Sequence, residues 1–420
     1  MFKRIPGTKD ILPNEAAAWQ KMEDTARNIF SLYNYRQIRL PLIEDASLFN
    51  RSLGESTEVV QKQMFLIRKE KDCYALRPEG TASVVRAYLE NSLDRTEGFV
   101  KLYYTGAMFR MERPQKGRLR QFHHIGCEAI GSEAAQVDVE IIALADDLLK
   151  AFSVTGYEIR LNSLGCPKDK KGLVEKLRRY LKDKNDKLCQ DCQERLKINV
   201  LRVLDCKNPA CKETVAGLDI EDDRLCLECK EHFSIVKDGL ELLGIAYKLS
   251  PHLVRGLDYY TRTVFEATHP DLGSQDALGA GGRYDNLVEE LGGPRLGSCG
   301  FALGAERVLL ASSLKPEAEN TDLIYAIALT EEARKLTLRL LDDMRKAGIR
   351  CDSDYSGKSL KGMMRSANNA GARYVLIIGE DELKRSGVTL KDMSSGEQKE
   401  LRTEDLPSEL MRNVKIQNPK

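Results

Sequence analysis

The sequence predicts an α+β protein of two or three domains, and three observations lead to that prediction. The chain has 420 residues, which is more than one average domain contains. Two strand-like segments, residues 99–109 and 118–130, flank the turn-forming residues 114–117, which indicates an antiparallel hairpin. From Asp322 onward, apolar strand patterns alternate with helical patterns, which is typical of a small α/β domain with a mainly parallel sheet.

The first part of the chain opens with a helix and a strand. Asn14 is a good helix cap, and the apolar residues within 15–33 have helical spacing. Residues 37–41 alternate in polarity and predict a strand that ends at a proline. Residues 137–152 again have the apolar period of a helix.

A charged, lysine-rich and cysteine-rich segment at residues 166–233 interrupts this pattern, and we interpret it as an inserted module. After it, residues 235–243 predict a helix, 264–267 a strand, and 300–310 a strand that passes into a helix. Residues 312–320 are a polar linker. The α/β domain that follows is predicted to have strands at 323–329, 349–351 and 374–378 and helices at 331–346 and 359–370.

Composition excludes several classes of protein. No apolar run is long enough to cross a membrane, and the basic opening of the chain lacks the apolar core of a secretory signal, so we expect a cytoplasmic location and no membrane partner. The eleven cysteines are then expected to be reduced. The net charge of +1 does not predict a nucleic-acid binder, so any RNA contact must come from local basic patches.

The usual nucleotide-binding motifs are absent. The sequence Gly357-Lys358-Ser359 would need a glycine at position 352 to form a phosphate loop, and that position is Asp352. Neither a dinucleotide fingerprint nor a nucleophile elbow occurs. If the protein uses ATP, arginines must hold its phosphates.

The densest chemical signal is a basic segment at residues 109–122. Five basic residues surround a single acid, Glu112; they are Arg110, Arg113, Lys116, Arg118 and Arg120. Two interpretations are open for such a charge run: a solvated basic hairpin, or a clamp for polyphosphate and an RNA end.

Six stretches of the chain resemble the histidyl-tRNA synthetase family of class II aminoacyl-tRNA synthetases. Arg110-Met111-Glu112 is similar to motif 2, residues 300–307 to motif 3 and residues 38–41 to motif 1, whereas residues 76–81, 253–260 and 280–285 are similar to signatures of the histidine enzymes. The resemblance implies an antiparallel catalytic sheet with flanking helices, a homodimer and a C-terminal α/β anticodon-binding domain. It implies the division into catalytic residues 1–165, an inserted module at 166–233, catalytic residues 234–315 and an anticodon-binding domain at 322–420.

The resemblance implies the activation of L-histidine by ATP with magnesium, followed by transfer of the histidyl group to the 3′ end of tRNA(His). Arg110 would hold the α-phosphate of ATP, Arg307 the γ-phosphate, and Arg118 the triphosphate tail. Glu112 would bind the adenine. Arg255 would lie between the histidine carboxylate and the α-phosphate, so the catalytic residues would be Arg255, Arg110 and Arg307.

The same resemblance implies a set of residues that bind histidine. Glu79 and Thr81, with Gly80 between them, would receive its ammonium group, and Arg110 and Arg255 would face its carboxylate. Glu128 and Tyr260 would engage the imidazole beside Tyr259, although a bare tyrosine pair is also compatible with core packing. A site that hydrogen-bonds both ring nitrogens would reject other amino acids without editing.

His124 departs from the family pattern, which has glutamine at this position. Neutral His124 would accept a hydrogen bond from the histidine ammonium, whereas protonated His124 would repel it. We therefore expect acidification to weaken histidine binding more than in a His124→Gln variant. The alternative is that His124 is a tolerated polar neighbour.

Two groups of residues are candidates for contact with tRNA. Arg113, Gln115 and Arg120 of the motif-2 loop would meet the acceptor end. Lys358, Lys361 and Arg365 lie on or beside one predicted helix of the C-terminal domain, where they are either contacts to the RNA backbone or a solvated helix face. By resemblance, the inserted module leans on the acceptor arm.

The cysteine-rich segment contains two Cys-x-x-Cys pairs. Cys189 and Cys192 form the first pair and Cys226 and Cys229 the second, with two more cysteines between them. Four such thiolates can hold a structural zinc ion, and free thiols in a small core are the alternative.

Two other functions share parts of this pattern. A regulatory subunit of ATP phosphoribosyltransferase has the catalytic fold as a binding module, but it usually lacks the anticodon-binding domain and the complete set of signatures. A tRNA-sensing module of a larger regulator would need an effector domain that we do not find in the sequence.

Overall fold

The computed structural model describes residues 2–55, 57–218, 220, 224–273, 276–314 and 322–413. The chain separates into two compact units, Met1–Lys315 and Pro316–Lys420. Part of the expected linker, residues 315–320, and the final residues 414–420 lie outside the described residues.

The first unit contains eleven α-helices and eleven strands within its described residues. The helices are α1 (Pro13–Leu32), α2 (Ala46–Leu53), α3 (Thr81–Glu90), α4 (Leu93–Thr96), α5 (Ala135–Ala151), α6 (Pro167–Leu181), α7 (Gln190–Ile198), α8 (Pro209–Ala216), α9 (Leu227–Leu242), α10 (Leu287–Glu290) and α11 (Ala305–Ala311). The strands are β1 (Arg36–Gln37), β2 (Ile43–Asp45), β3 (Phe65–Lys69), β4 (Asp72–Leu76), β5 (Val100–Phe109), β6 (Gln121–Ile130), β7 (Glu158–Ser163), β8 (Lys248–Leu249), β9 (Thr261–Thr268), β10 (Ala277–Arg283) and β11 (Ser298–Gly304). Short 3₁₀ or π-helical turns lie at Val59–Gln63, Asn185–Lys187, Val200–Val203 and Pro270–Leu272.

An eight-stranded sheet in the order β1-β5-β6-β11-β10-β9-β7-β8 forms the framework of this unit. Its six central strands are antiparallel to their neighbours, as the resemblance implied, and only the two-residue edge strands β1 and β8 run parallel. The predicted hairpin is β5 and β6, paired over ten residues from Val100↔Ile130 to Phe109↔Gln121. This pairing brings residues 110–120 out at one end of the sheet.

Helices α1, α5 and α9 supply the apolar faces that pack with one side of the sheet into a core. The helix predicted to start at residue 15 begins two residues earlier, at Pro13, with Leu12 as its cap, so our assignment of Asn14 as the cap is wrong. Proline at the first helical position explains the shift, because its fixed φ suits that position and its missing N–H has no partner to lose there.

A three-stranded antiparallel sheet in the order β2-β4-β3 leads into helix α3. Between β4 and α3, the buried guanidinium of Arg77 donates from Nε to the carbonyl of Ala107 (2.9 Å) and from Nη1 to that of Leu40 (3.1 Å). These bonds fix residues 78–81 against β5.

Residues 166–233 form helices α6, α7 and α8 and the start of α9. Their apolar side chains, including Leu173, Leu177, Val203 and Val215, belong to the same buried cluster as residues of β5 and α3. The segment therefore packs within the first unit.

The second unit contains β12 (Leu323–Ala328), α12 (Glu331–Lys346), β13 (Cys351–Ser353), α13 (Leu360–Asn369), β14 (Ala372–Ile378), α14 (Glu380–Lys384), β15 (Gly387–Asp392), β16 (Gln398–Arg402) and α15 (Leu406–Asn413). The three predicted strands are parallel to one another, in the order β13-β12-β14. Strands β15 and β16 add an antiparallel hairpin, so the sheet is mixed rather than mainly parallel. Strand β16 is polar and largely exposed, and it lacks the apolar run that indicated the other strands.

Among the described residues, no helix is both long enough and apolar enough to span a membrane.

Candidate active site

A cavity of about 650 Å³ opens in the first unit, at the end of the large sheet where β5 and β6 are joined. Its volume lies within the range of pockets that enclose small-molecule ligands. Residues from β5, β6, β10 and β11 line it, together with the turn before α3, the loop before β9 and part of segment 166–233. The sequence-predicted residues in its wall are Glu79, Thr81, Arg110, Glu112, Arg118, His124, Arg255, Tyr259, Tyr260 and Arg307.

Four predicted arginines converge on this cavity, and the structure anchors each of them differently. Arg110 donates from Nε to the carbonyl of Pro78 (2.9 Å), and its guanidinium lies 5.4 Å from the centre of the Phe122 ring. Arg118 pairs with the buried carboxylate of Glu112. Arg307 donates from Nε to the carbonyl of Gly117 at 2.9 Å. These anchors hold cationic groups in one place before any ligand arrives.

Like charges crowd together here and are partly removed from water. Burial and the neighbouring guanidinium of Arg118 lower the pKa of Arg307 from its usual value. Such repulsion is relieved when a polyanion binds between the cations.

Arg255 lies in the cavity wall, within the loop that joins β8 to β9. Its Nη1 donates to Glu266 Oε1 at 3.0 Å, and its Nε is buried without a hydrogen-bond partner in the described part of the chain. Because an unpaired buried N–H is costly, the guanidinium retains a donor for a ligand.

Glu306, the acid of the motif-3 stretch, fixes the turn between β11 and α11 to strand β6. Its carboxylate accepts from the backbone N–H of His123 (3.1 and 3.0 Å). The side chain of His123 also contacts it, since the imidazole Nδ1 lies 2.8 Å from Glu306 Oε1. The bonds place Arg307, the next residue, over the hairpin turn.

A buried acidic network lies behind the floor of the cavity. Glu79 accepts from the backbone N–H groups of Thr81 (2.7 Å) and Ala82 (2.8 Å) at the start of α3. Glu128 accepts from the hydroxyl groups of Thr81 (2.7 Å), Tyr104 (3.2 Å) and Tyr284 (2.6 Å). The Glu128 side chain is not itself part of the cavity wall, whereas Thr81 and Tyr104 are.

Burial dominates the protonation of these acids. It raises the pKa of Glu128 to about 8, although the three hydroxyl donors favour the ionised form. Burial also raises the pKa of Glu79, against the helix N–H groups and Arg110. Glu128 is therefore largely protonated at neutral pH until a nearby positive charge stabilises its carboxylate.

His124 lies on β6 opposite Gly304 and Gly106, with part of its ring facing the cavity. Its Nδ1 is buried and has no partner among the residues that the structure describes. Burial, with the charges of Arg110 and Arg77, lowers the pKa of His124 to about 3. The ring is thus neutral at ordinary pH, which contradicts our expectation that acidification weakens histidine binding more than in a His124→Gln variant.

Aromatic rings close the inner end of the cavity. The centroids of Tyr259 and Tyr260 lie 4.6 Å apart, and Tyr284 packs edge-on against Tyr259 at 5.7 Å. Tyr259 and Tyr260 belong to the buried cluster and also line the cavity. The pair therefore contributes both to core packing and to the wall of the pocket.

Comparison with known proteins agrees with this geometry. The family model described as "Histidyl-tRNA synthetase" matches residues 7–308, and the model described as "Anticodon binding domain" matches residues 323–413. The chain belongs to the histidyl-tRNA synthetase family. It is accordingly an enzyme, an aminoacyl-tRNA ligase, and its fold is that of the class II synthetases.

Relatives in this family match over almost their whole length. Histidine–tRNA ligase of Halothermothrix orenii is 44% identical over 413 residues, covering 97% of this chain and 98% of that protein. Histidine–tRNA ligase of Aquifex aeolicus is 46% identical over 406 residues, covering 96% of this chain and all of that protein. The crystal structure of apo histidyl-tRNA synthetase from S. aureus has a TM-score of 0.79 at 34% identity and covers 97% of this chain and 99% of that one.

The residues expected to meet tRNA lie outside the synthetase cavity. Arg113 and Gln115 are exposed in the hairpin turn. The guanidinium of Arg120 donates to the carbonyls of Glu112 (3.2 Å) and Pro6 (3.2 Å), which ties the turn to the N-terminal segment. The structure thus separates these residues from the four arginines of the cavity.

Several residues that contact the predicted site residues were not predicted from the sequence. Tyr104 and Tyr284 donate to Glu128, and Glu266 pairs with Arg255. Tyr284 was within a recognised signature but was given no role. Tyr104 and Glu266 were not singled out at all, because their relevance comes from strand pairing and not from local spacing.

The four cysteines predicted to share a zinc ion do not form one cluster. Cys189 and Cys192 group with Cys206 and Cys211, whereas Cys226 and Cys229 group with Cys166 and Asp169. The predicted ligand set is therefore wrong. Each pair lies at the start of a helix, and the fold brings the start of α7 to the start of α8 and the start of α9 to the start of α6.

Proposed function

We propose that the cavity carries out both half-reactions of histidine–tRNA ligation. The carboxylate of L-histidine attacks the α-phosphate of ATP, forming histidyl-adenylate and releasing pyrophosphate. The 3′-terminal ribose hydroxyl of tRNA(His) then attacks the adenylate carbonyl and releases AMP. The observation that carries the proposal is the convergence of Arg110, Arg118, Arg255 and Arg307 on one cavity that also contains Glu79 and the tyrosine pair.

Phosphate charge is the main barrier to the first step, because a carboxylate must approach a triphosphate. Arg110 faces the α-phosphate, and Arg255 lies between it and the histidine carboxylate. Arg307 and Arg118 hold the γ-phosphate and the tail, and Glu112, buried beside Arg118, accepts from the adenine amino group. Fixed cations stabilise the crowded anions without reorganisation, and no covalent enzyme nucleophile is required.

Magnesium accompanies ATP as part of the substrate. Glu266 and Asp276 line the cavity and offer the oxygen ligands that this ion prefers. The ion supplies additional charge neutralisation on the phosphates.

The histidine ammonium binds beside Gly80, between Glu79 and Thr81. Glu79 uses two of its acceptor positions for the backbone of α3, so other lone pairs remain. Neutral His124, with its unpartnered Nδ1, offers a further acceptor. Tyr260 and the Glu128 network read the imidazole beside Tyr259, with Thr81 and Tyr104 between Glu128 and the cavity.

The RNA is held by surfaces away from the arginines of the cavity. Arg113, Gln115 and Arg120 of the hairpin turn contact the acceptor end. In the second unit, Lys361 and Arg365 are exposed one helical turn apart on α13, and Lys358 lies just before that helix. Cations so placed attract the phosphate backbone.

The active form is a homodimer. The small sheet β2-β4-β3 exposes several large apolar side chains next to the motif-1 stretch; they are Leu42, Ile43, Leu66, Ile67 and Tyr74. The strand register places Ile43, Ile67 and Tyr74 on one face of this sheet. An exposed apolar face is typical of a protein interface, and a twofold axis would cover it with its own copy.

The four-part division of the chain, with residues 166–233 as an inserted module between two catalytic segments, stays a proposal, as does a cytoplasmic location. The module also contains two groups of candidate zinc ligands, which differ from the set of four cysteines predicted from the sequence.

Pyrophosphate exchange into ATP tests the proposed function. With all standard amino acids assayed in turn, exchange should require histidine and should occur without tRNA. Charging of tRNA(His) should then require the second unit. A folded dimer that shows no exchange with any amino acid would favour the regulatory-subunit alternative.

A further inference from the structure

The inserted module contains four cysteines whose sulfur atoms lie close together. We call Cys189, Cys192, Cys206 and Cys211 the tetracysteine cluster. Their Sγ atoms all lie within 4.8 Å of one another, and those of Cys189 and Cys206 are 3.8 Å apart. A zinc tetrahedron with Zn–S bonds of about 2.3 Å has sulfur–sulfur edges of about 3.8 Å. A disulfide would bring two sulfurs to about 2.05 Å.

Helix starts supply three of these four sulfurs. Cys189 is the cap of α7 and Cys192 is its third residue, while Cys211 is the third residue of α8. The positive end of a helix favours a thiolate over a thiol. Two helix starts that meet over four cysteines therefore favour a concentrated negative charge, which four thiols in an apolar core would not need.

Backbone N–H groups also point at the sulfurs. The amide of Cys189 donates to Cys211 Sγ (3.2 Å), and that of Asn208 donates to Cys206 Sγ (3.4 Å). Donors around the ligand atoms are the outer contacts that stabilise metal thiolates. Cys192 and Cys211 are fully buried, so solvent does not provide this stabilisation.

We propose that the tetracysteine cluster binds one zinc ion through its four thiolates. Four sulfur ligands with no position left for water make a structural site. The site lies at the cavity wall, because Cys189 and Cys206 line the cavity beside Arg195 and Arg202. Zinc would therefore hold the module's edge of the active site in place.

A different observation supports a second site at the point where the chain enters and leaves the module. Cys166 is the cap of α6 and Asp169 is its third residue, and Cys226 and Cys229 have the same positions in α9. The ligand atoms of all four lie within 4.8 Å of one another. Asp169 accepts from the backbone N–H of Cys166 (3.3 Å) and of Cys226 (3.1 Å). Its carboxylate therefore already joins the two places where the chain enters and leaves the module.

We infer that Cys166, Asp169, Cys226 and Cys229 bind a second zinc ion with three sulfurs and one oxygen. Carboxylate oxygen is an accepted zinc ligand beside thiolates. This ion would join the two ends of the inserted segment and fix its orientation. Neither zinc proposal depends on the proposed function, because both are tested by measuring the zinc bound to the protein.

Metal analysis of the full chain, purified without chelators, tests both sites. The expected content is two zinc ions per chain. Cys206→Ser and Cys226→Ser should each retain one ion, and the double variant should retain none. Cys73→Ser, which removes a cysteine outside both clusters, should retain two.

The outcomes separate the two sites. Wild-type protein with well under one zinc per chain overturns both. One ion per wild-type chain that is lost in Cys206→Ser and kept in Cys226→Ser supports the tetracysteine site and overturns the second site. One ion that is lost in Cys226→Ser and kept in Cys206→Ser supports the second site and overturns the tetracysteine site. One ion lost in both variants would mean a shared site and overturns the grouping.

A measurement on the wild-type protein removes dependence on the folding of variants. X-ray absorption at the zinc edge should show between three and four sulfur ligands per ion, since one site has four and the other three. Zinc coordinated mainly by nitrogen and oxygen would contradict both proposals.

Discussion

Arg255 and Glu266 form an ion pair of 3.0 Å in the cavity wall, and this pair fixes one edge of the guanidinium while Nε keeps a donor available. Burial opposes the charged form of Arg255, but Glu266, Tyr260 and Asp205 together outweigh it and raise the pKa of the guanidinium. The cation is therefore permanent and oriented before substrates bind. Preorganised charge of this kind is where an enzyme gains most in stabilising a transition state.

Arg255→Ala should abolish most adenylate formation while the protein stays folded. Loss of one preorganised donor typically costs on the order of 10²–10³-fold in kcat. Histidine-dependent pyrophosphate exchange measures the effect, and thermal unfolding checks the fold. Glu266→Gln keeps the guanidinium of Arg255 but removes its ion pair, so this variant should lose less activity than Arg255→Ala. Wild-type exchange in Arg255→Ala would remove this residue from the reaction.

His124→Gln should leave the pH profile of histidine binding unchanged in shape. Since the pKa of His124 is about 3, the ring stays neutral throughout the usual assay range, and glutamine is equally uncharged. Histidine KM measured from mildly acidic to mildly basic pH should give parallel curves for the two proteins. A steeper acidic loss in the wild type would show that the ring titrates near its ordinary pKa.

Histidine binding should release protons from the protein at neutral pH, because of Glu128. In the free protein burial raises the pKa of Glu128 to about 8, so the carboxyl group is mostly protonated at pH 7. The ligand's ammonium group favours the ionised form and lowers that pKa, so up to one proton leaves. The release should vanish well above pH 8, where Glu128 is already ionised.

Calorimetry in buffers of different ionisation enthalpy measures this proton release. Glu128→Gln cannot ionise and should release fewer protons at neutral pH than the wild type. Equal release in the two proteins would point to another group, such as Glu79, whose pKa burial also raises.

Sequence patterns predicted the features that depend on residues close together in the chain. The β5–β6 hairpin and the first three strands of the second unit follow from spacing and turn residues. The four arginines of the cavity follow from stretches that resemble the motifs of the synthetase family. The partners of Glu128 come from strands distant in sequence, with Tyr284 156 residues away, and no spacing rule reaches that far.

The cysteines show the same limit. The Cys-x-x-Cys spacing predicted metal-binding thiols, but the tertiary fold places Cys189 with Cys211 and not with Cys226. Likewise, the pKa of His124 is strongly lowered because burial removes the ring from water and, to a smaller extent, because Arg110 and Arg77 are charged nearby, which the residue type alone does not reveal.

Gly300→Ala should damage histidine recognition more than folding. Gly300 lies opposite Glu128 in the β6–β11 pair, and an added Cβ would lie 1.9 Å from Glu128 Oε2 and 2.5 Å from the carbonyl of Cys127. Both atoms must move, at a cost of about 1–3 kcal/mol for such overpacking. The shift displaces Glu128 from its three hydroxyl donors, so kcat/KM for histidine should fall roughly 10- to 100-fold.

Gly172→Ala is the matched control for the Gly300 variant. Gly172 lies within α6, where an added Cβ meets no atom within 4 Å, so alanine should stabilise the protein by about 0.5–1 kcal/mol through helix propensity. Thermal unfolding and histidine KM, measured for both variants, separate stability from recognition. If Gly300→Ala lowers the unfolding temperature while histidine kinetics stay at the wild-type level, the position of Glu128 does not govern the reading of the substrate.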